Sequence, residues 1–169
     1  MSKNTQVLID SLPEGKLSES NYKLVESPMP QASEGEVLVK TIAFAITAGT
    51  RAGLQGSASY AGAPQTGIVM NSLGVGEVID GDNSSFPAGT KVQARTGWQS
   101  YSVHKTSELT AIPEGIDPLH YLGPLGINGL TAYFGLLEVG QPKTGETVMV
   151  SAAAGSVGHM VGQIAKLKE

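Results

Sequence analysis

From Thr5 to about Lys105, apolar residues come in short bursts between polar punctuation, the pattern of strands separated by turns. Partial alternation of Val, Ile and Tyr predicts strands over 6–9, 22–25, 36–42, 74–79, 90–94 and 101–104. Turn chemistry lies between them: Pro28-Met29-Pro30, Ser33-Glu34-Gly35, Gly81-Asp82-Asn83 and Phe86-Pro87-Ala88-Gly89. An all-β sandwich or barrel is expected here. Residues 49–67 hold five glycines, no acidic residue and Arg51 as their one base, so this stretch is predicted as a long loop, either functional or disordered.

Beyond Pro113 the period lengthens. Asp117-Pro118 can start one helix, and Asn128 can cap another running to about Glu138. Leu130, Tyr133, Phe134 and Leu137 share a face of that second helix, and Gly140 and Pro142 end it. The apolar run 147–151 reads as a strand buried on both faces of a parallel sheet. A glycine-containing turn then leads to a final helix over 156–168, with Val157, Met160, Val161, Ile164 and Ala165 on its apolar side.

Composition narrows the chemistry. The 169 residues are 40% hydrophobic and 15% charged, within the range of packed globular chains. Eleven basic residues against fifteen acidic ones leave a net charge of −4, and no basic cluster offers a nucleic-acid partner. No apolar run reaches a membrane span and the N-terminus lacks a secretory pattern, so a cytoplasmic protein is expected. The absence of cysteine removes thiol nucleophiles and thiolate metal sites. His104, His120 and His159 are far apart and follow no metal-binding spacing, so no metal is expected.

The most informative segment is Val148-Met149-Val150-Ser151-Ala152-Ala153-Ala154-Gly155-Ser156-Val157-Gly158. A strand feeding a helix through small residues presents backbone N–H groups and the positive end of the helix dipole to a phosphate. The spacing is A-x-x-G-x-x-G, with alanine where the usual fingerprint has its first glycine. A tight turn with close helix packing remains the alternative.

Residues 129–137, Gly129-Leu130-Thr131-Ala132-Tyr133-Phe134-Gly135-Leu136-Leu137, followed by Gly145-Glu146-Thr147 and the segment above, resemble the prostaglandin and curcumin reductase branch of the zinc-independent medium-chain dehydrogenases/reductases. Residues 21–30, 35–40, 74–79 and 97–101 extend the resemblance over almost the whole chain. It implies a mostly β GroES-like barrel over 1–117, then linking helices and the first strand-turn-helix of a truncated α/β Rossmann domain over 118–169. It also implies NADPH-dependent reduction of an activated carbon–carbon double bond in a small enone or enal, and it leaves open a homo-oligomer of the full-length form.

Gly155, Ser156, Val157 and Gly158 correspond to the turn that holds the cofactor pyrophosphate, and Thr131 to a position near the nicotinamide. A hydroxyl bonded back to the preceding helical turn is the alternative for Thr131. Arg51, Tyr60, Trp98 and Gln99 are candidate substrate contacts. A barrel-bracing or exposed role stands beside that for Arg51, and core packing for Trp98. Two departures bear on substrate shape: Thr47-Ala48-Gly49-Thr50 precedes Arg51 where the family has an Asp-Pro pair, and Ile127-Asn128 stands where it has Met-Pro. No catalytic acid is identified. Only about 23 residues remain from Thr147, too few for a six-stranded Rossmann sheet, so a fragment of a longer reductase is expected, with an aggregation-prone C-terminal end. A non-catalytic interaction module and a quinone reductase-like activity are the other functional readings.

Overall fold

The computed structural model describes residues 3–56, 63–81 and 85–168. The chain divides into two compact units, Met1–Pro118 and Leu119–Glu169.

The first unit is built on β-strands. Strands β1 (Lys3–Ile9) and β2 (Tyr22–Pro28) form an antiparallel pair, with Lys3 opposite Pro28 and Ile9 opposite Tyr22. A second, five-stranded antiparallel sheet has the order β6-β3-β4-β5-β7. Its members are β3 (Glu36–Phe44), β4 (Gly74–Asp80), β5 (Lys91–Ala94), β6 (Tyr101–Lys105) and the two-residue β7 (Thr110–Ala111). The expected strands are thus present with shifted ends, and β7 is an addition.

The free edge of β1 bonds to two non-strand segments. Val7 N–H donates to Trp98 O and Ser100 N–H to Thr5 O, both at 2.9 Å, while Met70 N–H reaches Val7 O at 2.8 Å. Thr41 N–H in turn donates to Ser100 O at 2.9 Å. These bonds tie the two sheets into the GroES-like barrel that the resemblance implies, and they satisfy an edge that would otherwise expose unpaired backbone groups.

Burial follows the alternation of the strands. Val37, Val39, Val78 and Val92 are fully buried in one cluster, covered by Phe86 and Leu109. Ile9, Leu54 and Met70 form a second cluster, against which Leu17, Tyr22 and Trp98 pack. β3 and β4 approach so closely at Gly76 that a Cβ there would lie 2.4 Å from the Val39 side chain and 2.6 Å from Lys40 O. Only glycine fits.

The long loop expected over 49–67 is corrected in its first part. Helix α1 (Ala48–Gln55) occupies it, buries Leu54 and leaves Arg51 exposed. Thr47 caps the helix: its Oγ1 accepts from Thr50 N–H at 3.3 Å, and Thr50 Oγ1 accepts from Thr47 N–H at 3.0 Å. This reciprocal arrangement satisfies two backbone donors and outweighs the low helix propensity of the glycines.

The second unit is helical. The helix expected to begin at Asp117-Pro118 is a short 3₁₀ segment, Pro118–Leu122. Helix α2 (Ile127–Phe134) is capped at Gly126 rather than Asn128, and it continues as a π-helical segment, Gly135–Gly140, closed by Gln141 in a left-handed conformation. Helix α3 (Gly158–Leu167) packs against α2 and buries Met160. Residues 147–151, expected as a buried strand, have no sheet pairing among the described residues. Met149 is 94% exposed, because no strand of this unit lies beside the segment to bond with it. No described helix is long and apolar enough to cross a membrane.

Candidate functional site

The turn between residue 151 and α3 is shaped by three small residues. Ala152 adopts φ 49°, a left-handed conformation that side chains other than glycine rarely take. Alanine therefore stands where the usual fingerprint has glycine, and the backbone there is one that glycine would favour. Ala152 O accepts from Gly155 N–H at 2.8 Å, and Gly155 O accepts from His159 N–H at 3.1 Å. Gly158 is sterically required: a Cβ on it would lie 2.4 Å from Ala152 O and 2.9 Å from Ala153 Cα.

Among the described residues, the N–H groups of Ser156, Val157 and Gly158 donate to no protein acceptor. They are exposed or half-buried at the N-terminal end of the ten-residue α3. Unpaired donors at the positive end of a helix can serve a phosphate oxygen. Of the residues named for the cofactor turn, Ser156, Val157 and Gly158 are the ones whose N–H groups could hold a phosphate, since Gly155 N–H is spent on Ala152 O.

Thr131 lies in α2, exposed, and its Oγ1 donates to Ile127 O at 2.6 Å. That is the bond to the preceding turn weighed above, and it leaves the hydroxyl oxygen able to accept a hydrogen bond.

The substrate candidates separate. Arg51 is exposed on α1. Tyr60 lies outside the described residues. Trp98 is stacked between Tyr22 and Phe44, with centroid distances of 5.3 and 5.5 Å. Gln99 is committed to the barrel: its Oε1 accepts from Asn4 Nδ2 at 3.2 Å and Gln6 Nε2 at 2.7 Å, and its Nε2 donates to Thr96 O at 2.9 Å. The carboxamide oxygen has no lone pair left for a ligand. Trp98 and Gln99 share a shallow concavity with β1 and β3, and Arg51 does not line it.

Asn4 was not singled out by sequence reasoning. It is 2% exposed, and its side chain pairs with the Tyr101 backbone by donating to Tyr101 O and accepting from Tyr101 N–H, both at 2.9 Å. A buried asparagine near a terminus has no distinguishing sequence pattern. His104 is also buried. It bonds Ser102 Oγ through Nε2 at 2.8 Å, and burial holds its imidazole below the ordinary pKa, with partial opposition from Glu108. No group of three or more potential metal ligands occurs among the described residues.

The family described as the N-terminal domain of oxidoreductase matches residues 5–112. The NADPH-dependent curcumin reductase of Escherichia coli is 35% identical over 98% of this chain and 48% of its own length. Prostaglandin reductase 1 of Mus musculus is 42% identical over 92% of this chain and 46% of its own length. The crystal structure of CurA from Vibrio vulnificus in complex with NADPH superposes with a TM-score of 0.89 at 36% identity, over 97% of this chain and 49% of that one. The chain thus spans about half the length of each of these relatives.

Proposed function

The chain belongs to the oxidoreductase N-terminal domain family of the medium-chain dehydrogenases/reductases, and from that premise we propose that the whole protein reduces an activated carbon–carbon double bond of a small enone or enal with NADPH. The observation that carries the reading is the turn 152–158, with its unpaired N–H groups and the steric demand at Gly158. NADPH, when bound, supplies the hydride.

This chain's residues bind and orient. Ser156, Val157 and Gly158 offer backbone donors to the pyrophosphate, and α3 adds the positive end of its dipole. Thr131, whose hydroxyl donates to Ile127 O and keeps its oxygen lone pairs, would lie near the nicotinamide as an acceptor. Arg51 draws an anionic group of the substrate or cofactor towards α1 through its exposed charge. Trp98 and Gln99 keep the barrel wall in place rather than meeting the substrate, since stacking and three hydrogen bonds occupy them. The names of the relatives support the substrate class: they act on curcumin and on prostaglandins.

The test is a calorimetric titration with NADPH and with NADH, followed by an assay of NADPH consumption with an enone. Saturable NADPH binding that weakens more than about tenfold in Gly158→Ala, with helix content unchanged, is expected from displacement of the Ala152 carbonyl. A full-length protein that binds NADPH and turns over no enone or enal would overturn the substrate class. A folded chain whose NADPH affinity is equal in both forms would overturn the cofactor role of the turn.

A further inference from the structure

The Gly155 carbonyl is held twice by one residue. It accepts from His159 N–H at 3.1 Å and from His159 Nδ1 at 2.8 Å. A carbonyl oxygen can only accept, so Nδ1 carries the proton in that bond. The other end of the same glycine is spent as well, since its N–H donates to Ala152 O at 2.8 Å. Both bonds restrain the residue type whose backbone otherwise turns most freely.

Holding that oxygen fixes a donor one residue further on. A trans peptide is planar, with the C=O of one residue and the N–H of the next pointing opposite ways, and every described peptide here is trans. The direction of Gly155 C=O therefore sets the direction of Ser156 N–H, one of the three donors without a protein acceptor. Gly158 N–H is directed differently. The oxygen of its peptide unit, Val157 O, accepts from Met160 N–H and Val161 N–H at 3.1 and 3.0 Å, inside the first turn of α3. The helix backbone thus orients one donor, and the His159 side chain helps to orient another. Rotation of the 155–156 peptide plane would exchange the Ser156 donor for a carbonyl oxygen, presenting negative charge where an anion is to be held.

We infer that His159 is a positioning residue for the phosphate turn: through Nδ1–H it locks the Gly155 carbonyl away from the anion and aims Ser156 N–H at a pyrophosphate oxygen. The inference rests on the reading of residues 156–158 as the pyrophosphate seat of NADPH. The ring itself need not touch the cofactor, because its contribution is the geometry of a neighbouring peptide.

A side-chain bond to the carbonyl four residues back is open to glutamine too. One turn later, Gln163 Nε2 donates to His159 O at 3.2 Å. His159→Gln can therefore restore the bond and His159→Leu cannot, while glutamine and leucine have nearly equal helix propensity. The pair separates the hydrogen bond from the helix.

The test is NADPH binding to the 169-residue chain by calorimetry, read alongside the Ser156 amide resonance in NMR spectra. His159→Leu should weaken NADPH about three- to tenfold, the range of one hydrogen bond, and displace the Ser156 signal already in the cofactor-free chain. His159→Gln should stay within about twofold of the unmodified chain and return the signal to its place. Helix content by circular dichroism should be equal in all three. In the unmodified chain, saturating NADPH should shift the Ser156 amide. Equal affinity in His159→Leu, a loss in His159→Gln as large as in His159→Leu, or NADPH binding that leaves the Ser156 amide unmoved overturns the positioning role and leaves the cofactor reading in place. A folded, unmodified chain that binds no NADPH overturns the cofactor reading, and the role of His159 falls with it.

Discussion

The barrel unit and the helical unit use similar residues to opposite effect. Val37, Val39, Val78 and Val92 are completely buried, whereas Val139 is 83% exposed, Met149 94% and Val148 38%. Composition does not separate them. In the barrel, the strands that carry these valines, β3, β4 and β5, each have a paired neighbour on both sides and a face turned inward. The apolar run 147–151 has no ladder, and the hydrogen bonds of the turn after it are local, such as Gly155 N–H to Ala152 O. Burial is thus a property of what a segment lies against, and the same hydrophobic pattern gives a core only where the topology supplies a second layer.

The largest expected effect of this difference is in amide exchange. The N–H groups of Val37 and Val39 should exchange at least about 10³-fold more slowly than those of Val148 and Met149, since local opening in the second region breaks no ladder. Comparable protection of the two sets in a hydrogen-exchange measurement would erase the distinction.

Next in size is a pair of truncations. Val39→Ala should lower stability by about 2 kcal/mol in urea unfolding. Met149→Ala should change it by less than about 0.5 kcal/mol. A smaller effect is expected at Ala152, where glycine relieves the left-handed strain at the expense of chain entropy. Ala152→Gly should stabilise by about 0.5 kcal/mol, and a loss of stability would mean that the turn conformation is not populated in solution.

The smallest effect sharpens the barrel side. Burial keeps His104 neutral in the folded chain, so its folded pKa lies below its unfolded value. As pH falls below the unfolded pKa of about 6.5, the unfolded chain takes up a proton that the folded chain resists. Stability should therefore decline from neutral pH towards pH 5 and be unaffected by this group above neutrality. His104→Gln, which keeps a donor for Ser102, should flatten that decline, and an unchanged slope would assign it to other groups.

The barrel was legible in the sequence because strand alternation and turn residues act locally. The segment expected over 36–42 is observed as Glu36–Phe44, and its extra length comes from Ala43 and Phe44 pairing with Val75 and Gly74. Helix α1 was hidden by its glycines, although Thr47 and Thr50 carried the capping signal at the right spacing. The glycine turn was visible as a motif, and the alanine at its first position marked the residue whose backbone is left-handed. The Asn4–Gln6–Gln99 network was not legible. Its partners are more than ninety residues apart, at |i−j| of 95 and 93, and no local rule connects them.

That separation governs the order of folding. The side chain of Asn4 closes on the Tyr101 backbone across 97 residues. At a synthesis rate of about 5–20 residues per second, β1 leaves the ribosome about 5–20 s before its partner segment exists. Its seam is thus one of the last parts of the barrel to close on the nascent chain. The first dozen residues must stay free of competing pairings throughout that interval, and anything that captures them there should prevent the barrel from closing.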